Sequence, residues 1–295
     1  KPMKLAGKTD VGRVRQDNQD DYRAGELPGD AAWLLVCDGM GGARGGREAS
    51  QSACDVIERC FQEQYASKCL PGEEETFLKK SLLSANRFVF QKALREESLA
   101  GMGTTAVCAL VRGGKVFLCH AGDSRAYLYR DGRLAQLTHD HSYVQELVDC
   151  GTITEEEAEH HPQKNIITRA LGVDYRLEPE VTSVQLQAKD LLLLCSDGLT
   201  NMVPVEQMEQ FLRVHPATGL VVVDTLQRIR AAGLRMPLLR PKWVGQGEMA
   251  SIQAKPCFLM PSRMRFFSCW GFSVEARATY RAPAALATAQ MSKPS

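Results

Sequence analysis

Two hydrophobic spacings alternate along this chain, and they divide it into strands and helices. Trp33-Leu34-Leu35-Val36-Cys37 and Leu191-Leu192-Leu193-Leu194-Cys195 are continuous apolar runs of strand length, as buried strands require. The second, wholly apolar, reads as central in its sheet. Between them, Arg44 to Gln64 places Ala49, Ala53, Val56, Ile57, Cys60 and Phe61 at helical spacing. Leu70-Pro71-Gly72 breaks the chain. Glu73 to Leu99 is a second helical stretch, with Phe77, Leu78, Leu82, Ala85, Val89 and Ala93 on one side and its acids at the N-terminal end, where the helix dipole favours them. The period then shortens. Thr104 to Val111, Val116 to His120, Ala126 to Tyr129 and Leu134 to Leu137 read as strands, joined by turns at Gly113-Gly114 and Asp131-Gly132. Met3 to Thr9 is mixed in pattern and is assigned as a first strand. Ser142 with Gln145 and Thr154 with Glu157 have the spacing of capping boxes. Val181 to Leu186 is a further strand, Pro204 opens a helix through Leu212, and Val221 to Ala232 has helical spacing. This order predicts an α+β sandwich with helices packed outside antiparallel sheets.

Composition changes this picture little. The chain has 295 residues, 44% of them hydrophobic, which suffices for a large core. A net charge of +1 gives no reason to expect nucleic acid or an acidic membrane surface as partner. No window of 18 apolar residues suggests a membrane span, and Lys1, Lys4, Lys8 and Asp10 interrupt any signal-peptide core. The 10 cysteines include no Cys-x-x-Cys pairs, which argues against a zinc site, and several sit in apolar runs as free thiols. A cytoplasmic protein in a reducing compartment is the expectation. Charge is unevenly spread: residues 1–213 hold 25 Lys+Arg against 32 Asp+Glu, and residues 214–295 hold 11 against 3.

The chemistry lies where strands stop. Asp38, Asp123 and Asp197 each follow an apolar strand and adjoin a glycine, in Asp38-Gly39-Met40-Gly41-Gly42, Gly122-Asp123-Ser124-Arg125 and Ser196-Asp197-Gly198-Leu199. One such turn acid is commonplace. Three, with the polar stretch Arg15-Gln16-Asp17-Asn18-Gln19-Asp20 before them, suggest carboxylates converging at one end of the sandwich. Such carboxylates repel one another unless cations neutralise them. Oxygen donors without a cysteine or histidine set favour Mg²⁺ or Mn²⁺ over Zn²⁺. Two such ions activate a water for in-line attack on phosphorus, and an Arg supplies bidentate contact to phosphate oxygens. Thr138-His139-Asp140-His141-Ser142 is either a metal-binding His-acid-His group or a loop entering a helix.

These motifs, together with Gly101-Met102-Gly103-Thr104-Thr105, resemble in order and spacing the metal-dependent type 2C serine/threonine protein phosphatases in their bacterial form. The resemblance covers about residues 3–213. It implies a four-layer α-β-β-α sandwich, with two central antiparallel sheets flanked by helices. It also implies hydrolysis of phosphoserine and phosphothreonine in phosphorylated proteins, the substrates of a serine/threonine kinase, by a monomer holding two Mn²⁺ or Mg²⁺ ions and a third, weaker one. On the same basis Asp38 bridges two metals, the Gly39 carbonyl joins one and Asp197 the other. Asp123 helps hold the third, Asp20 belongs to the ligand set, and Arg15 grips the phosphate. Gln19 stands where many members have a Glu that holds a metal-bound water. Met40 stands where eukaryotic members carry a His proposed as general acid. A mobile flap is expected near Val144 to Gln163.

The family pattern ends in an Asp-Asn pair and a last strand, and this chain has no Asp beyond Asp224, which falls inside the expected helix. Residues 1–232 are therefore read as the phosphatase domain, without that ligand. Residues 233–295 are read as a divergent, poorly ordered tail that has arisen by a frame change, by divergent extension or as a basic interaction segment. Loss of one ligand leaves two outcomes open: an active phosphatase with an impaired site, or a non-catalytic module that binds phosphoproteins.

Overall fold

The alternation along each central strand decides the layering. The structure, a computed structural model, describes residues 3–12, 16–214 and 221–222. Strands β1 (Asp20–Leu27) and β2 (Ala31–Met40) form an antiparallel hairpin, followed by helices α1 (Gly42–Lys68) and α2 (Glu74–Arg95). A short 3₁₀ turn, Glu97–Leu99, leads to β3 (Gly103–Thr104), β4 (Ala106–Arg112) and β5 (Lys115–Ala121). Then come β6 (Arg125–Arg130), β7 (Arg133–Gln136), α3 (Tyr143–Asp149), α4 (Glu155–His160), β8 (Glu180–Gln185), β9 (Leu191–Cys195), α5 (Asp197–Thr200), α6 (Val205–Val214) and β10 (Val221–Val222). The first sheet runs β1-β2-β4-β5-β8, with β3 also paired to β2, and the second runs β10-β9-β6-β7.

In β2, Trp33, Leu35 and Cys37 face one way, into a core shared with Ala53, Ile57 and Phe61 of α1 and Leu78, Leu82 and Val89 of α2. Ala32, Leu34 and Val36 face the other way and meet Leu192 and Leu194 of β9. The opposite face of β9, Leu191, Leu193 and Cys195, packs on Leu199, Val203 and Met208. Period-two alternation thus gives each central strand two apolar faces, and the outcome is helices, sheet, sheet, helices. Each buried large side chain contributes on the order of 2 kcal/mol. The Trp33 and Phe61 rings stack at 4.5 Å across the helix–sheet boundary.

The four-layer arrangement, both long helices and the central place of β9 agree with the sequence expectation. Three local assignments need correction. Residues 3–9 form no strand, although Leu5 and Ala6 are buried: they seat a few apolar side chains without completing a ladder. β1 was not foreseen, because its side chains are mostly half-buried and carry no clean alternation. Val221–Val222 is a strand parallel to β9, paired with Leu193 and Leu194, where a helix was expected to begin. A run of β-branched valines suits an extended chain beside a buried strand. The expected boundary at residues 232–233 and the tail lie outside the described residues. Among the described residues no helix is long and apolar enough to cross a membrane.

Candidate active site: an acidic cleft where the two sheets end

Strand register brings the acids together. β1 and β2 pair so that Asp20 stands directly opposite Asp38. In the second sheet β6 and β9 pair with Arg125 opposite Cys195, and just beyond that end of the ladder Asp123, in the bend before β6, and Asp197, at the start of α5, face the same cleft. The four carboxylates therefore gather at the same end of the sandwich, close enough for Asp20, Asp123 and Asp197 all to act on Asp38. Asp38, Asp123 and Asp197 line one cleft of about 380 Å³ together with Gln19, Gly39, Met40, Gly41, Thr105, Asn165, Ile167, Gly198 and Asn201. The expectation that distant carboxylates share a cavity is met.

The local backbone explains why Gly39 follows Asp38. A Cβ at Gly39 would lie 1.9 Å from the Gly46 carbonyl oxygen and 2.7 Å from that of Gln19. No other residue fits while β2 packs this closely on the start of α1. The Gly39 N–H donates to the Gln19 carbonyl at 3.1 Å, and Ser50 Oγ donates to the same oxygen at 2.6 Å, fixing the loop that carries Gln19. Asp20 Oδ2 accepts from the buried Ser196 Oγ at 3.2 Å, a tie from one sheet to the other. Asn201 Nδ2 donates to Asp197 Oδ2 at 2.9 Å.

Electrostatics follow from this crowding. Burial, reinforced by Asp20 and Asp197, pushes the Asp38 carboxyl well above the usual range. Burial and the charge of Asp197 raise Asp123 to about 7. Among the described residues no Lys or Arg lines the cleft. Divalent cations held by oxygen donors are what such a set fits, because they alone allow these acids to ionise together.

The Thr138–Ser142 segment resolves as a loop. Asp140 accepts from Arg125 Nε at 2.9 Å and from Nη2 at 2.7 Å, so this acid is spent on an ion pair. His139 pairs with Asp149 at 2.7 Å. Ser142 Oγ caps α3 by accepting from the Gln145 N–H, but Gln145 turns its amide to Asp149, so this box is half made; the Thr154–Glu157 box is complete. His120, His141 and Glu180 do gather ligand atoms within 4.8 Å. However, the two imidazoles stack 4.7 Å apart with their planes 7° from parallel, so their in-plane lone pairs do not converge on one ion. Arg169 also approaches His141 Nε2 at 3.2 Å. Burial, the stacked neighbour and Arg169 hold His141 down at about 4.

The 142–168 segment leaves and returns beside the cleft. Its base is pinned by Tyr143 N–H to the Ile166 carbonyl and Thr168 N–H to the His141 carbonyl, both at 2.8 Å. This excursion holds α3 and α4 where a flap was expected, and it brings Asn165 and Ile167 to the cleft. Neither those residues nor Asn201 was picked out from sequence, and no local motif marks them. Arg15 lies outside the described residues.

The fold is an α-β-β-α sandwich with a cleft lined by oxygen donors at one sheet end. The chain belongs to the protein phosphatase 2C family, whose model matches residues 11–226. It is 44% identical over 207 residues to the serine/threonine phosphatase stp of Listeria monocytogenes, covering 70% of this chain and 81% of that protein. It is 38% identical over 212 residues to the serine/threonine protein phosphatase PstP of Mycobacterium tuberculosis, covering 72% of this chain and 39% of that longer one. Among solved structures it is similar to the catalytic domain of PstP in complex with 2 manganese ions, with a TM-score of 0.60, 37% identity, and 69% and 81% of the two chains covered.

Proposed function

We propose that this chain is a metal-dependent protein serine/threonine phosphatase that removes phosphate from phosphoserine and phosphothreonine in proteins. The observation that carries the proposal is the meeting of Asp38, Asp123 and Asp197 in one cleft, with Asp20 opposite Asp38 on the neighbouring strand, and a described lining that offers no basic side chain. Family membership and the names of the relatives support it. Asp38 with the Gly39 carbonyl, and Asp197, hold two Mn²⁺ or Mg²⁺ ions; Asp123 and Asp20 complete the acidic set. Bound there, the ions supply charge neutralisation and an activated water for attack on phosphorus. The Gln19 amide orients water by hydrogen bonding and adds no charge. Arg15 contributes bidentate contact to the phosphate. Met40 has no proton to give, so the serine or threonine leaving group takes its proton from solvent. The substrates are proteins phosphorylated by serine/threonine kinases, and the enzyme acts as a cytoplasmic monomer. The eight described cysteines are all free, seven of them buried, which suits a reducing compartment. The 232–233 boundary and the divergence of the tail belong to the same proposal. So does an impaired site, since no Asp follows Asp224.

Hydrolysis of a phosphothreonine peptide at millimolar Mn²⁺ tests this reading. The native chain turns the peptide over, and Asp38→Ala abolishes turnover while circular dichroism shows the domain folded. A folded native chain without turnover would leave only a phosphoprotein-binding module. Near-normal activity in Asp38→Ala would remove the metal assignment.

A further inference from the structure

Thr105 stands where the cleft-facing ends of the two sheets touch. Its N–H donates to the Asp38 carbonyl at 2.9 Å, and its hydroxyl accepts from the Asp38 N–H at 2.9 Å. Thr104 Oγ1 donates to the same Asp38 carbonyl at 2.9 Å. The Thr105 hydroxyl also shares a 2.6 Å hydrogen bond with Ser124 Oγ, the residue after Asp123. Both side chains are buried, at 3% and 2% exposure. Thr105 packs as well against Gly122, before Asp123: a Cβ there would lie 2.6 Å from Thr105 Cγ2, and the backbone holds φ +110°. One threonine thus clasps the backbone at Asp38 in the first sheet and brackets Asp123, on both sides, where it leads into the second. Together with the Ser196–Asp20 bond, it ties the two carboxylate pairs crosswise.

We infer that Thr105 is a positioning residue for the metal centre: through its hydroxyl and Ser124 it sets the spacing between Asp38 and Asp123, so that both meet the ions without rearrangement. The inference rests on the reading of the cleft as a metal site. A purely local role, satisfying the buried Asp38 N–H, would not involve Ser124.

The test is calorimetric titration of Mn²⁺ into the full chain, with kcat and KM measured at saturating Mn²⁺. Thr105→Val keeps the branched shape, removes the hydroxyl and weakens Mn²⁺ binding by roughly 10- to 100-fold, in the range seen for groups that orient metal ligands. Thr105→Ser restores binding. Ser124→Ala leaves the Asp38–Thr105 bond in place and still weakens Mn²⁺ by about 10-fold, while KM for the phosphopeptide is unchanged. If Thr105→Val does not fold, Ser124→Ala decides. Native Mn²⁺ affinity in Ser124→Ala overturns the inference. A native chain that binds no Mn²⁺ overturns the metal-site reading itself, and the inference with it.

Discussion

Asp140 and Asp123 are acids of the same small region, and the structure treats them in opposite ways. Asp140 is buried and receives a forked ion pair from Arg125, and Gln136 adds a third donor at 3.0 Å. Asp123, two residues before that arginine, faces a cleft where burial and Asp197 drive its carboxyl up to about 7. The fold has a guanidinium within reach of both and gives it to Asp140. A neutralised acid is part of the framework; an acid left among other acids is where the proposed reading puts a cation. The Thr138–Ser142 and Gly122–Arg125 segments were both chemically suggestive, and only this contrast separates scaffold from site.

The contrast can be broken by exchange of charge. Arg125→Ala leaves Asp140 buried without its counter-charge and lowers stability by about 3 kcal/mol, in the range for a buried pair losing one partner. Asp123→Asn, measured without metal at pH 8, does the reverse and raises the melting temperature by a few degrees, because it removes a repelled charge. Thermal melts in EDTA check both signs; equal losses in the two variants would mean that the two acids play the same part.

A smaller effect comes from pH. A carboxyl whose folded pKa is raised favours the folded state below its unfolded pKa of about 4 and loses that contribution as pH climbs through the folded value. For Asp123 that window ends at about 7. The metal-free protein therefore loses stability between about pH 4 and 7 through the cleft acids, while bound cations favour their ionised forms. Added Mn²⁺ raises the melting temperature more at pH 8 than at pH 5.5. A Mn²⁺ effect independent of pH would show that these carboxyls do not titrate into the site.

Much of this was legible in the sequence, for a definite reason. β2 and β9 are apolar on both faces, so they announce themselves, and the Asp-Gly step near the end of each apolar run is a local pattern. α1 and α2 repeat their buried positions often enough to show one face. What escaped depends on pairing between distant residues. β1 has half-buried side chains and becomes a strand only because β2 offers it an edge. The facing of Asp20 and Asp38 is a fact of register. Asn165 and Ile167 reach the cleft because the 142–168 excursion is pinned at its base, which no spacing encodes. The use of Asp140 by Arg125 was hidden in the same way, since His139, Asp140 and His141 look alike as ligands until their partners are known.

The central claim is that the two carboxylate pairs together hold divalent ions. Anomalous diffraction at the manganese edge from crystals soaked in Mn²⁺ measures this directly. The account predicts two anomalous peaks in the cleft, with Asp38 touching both and Asp197 touching one. A cleft empty of anomalous density at saturating Mn²⁺, or ions bound only elsewhere on the molecule, would contradict it.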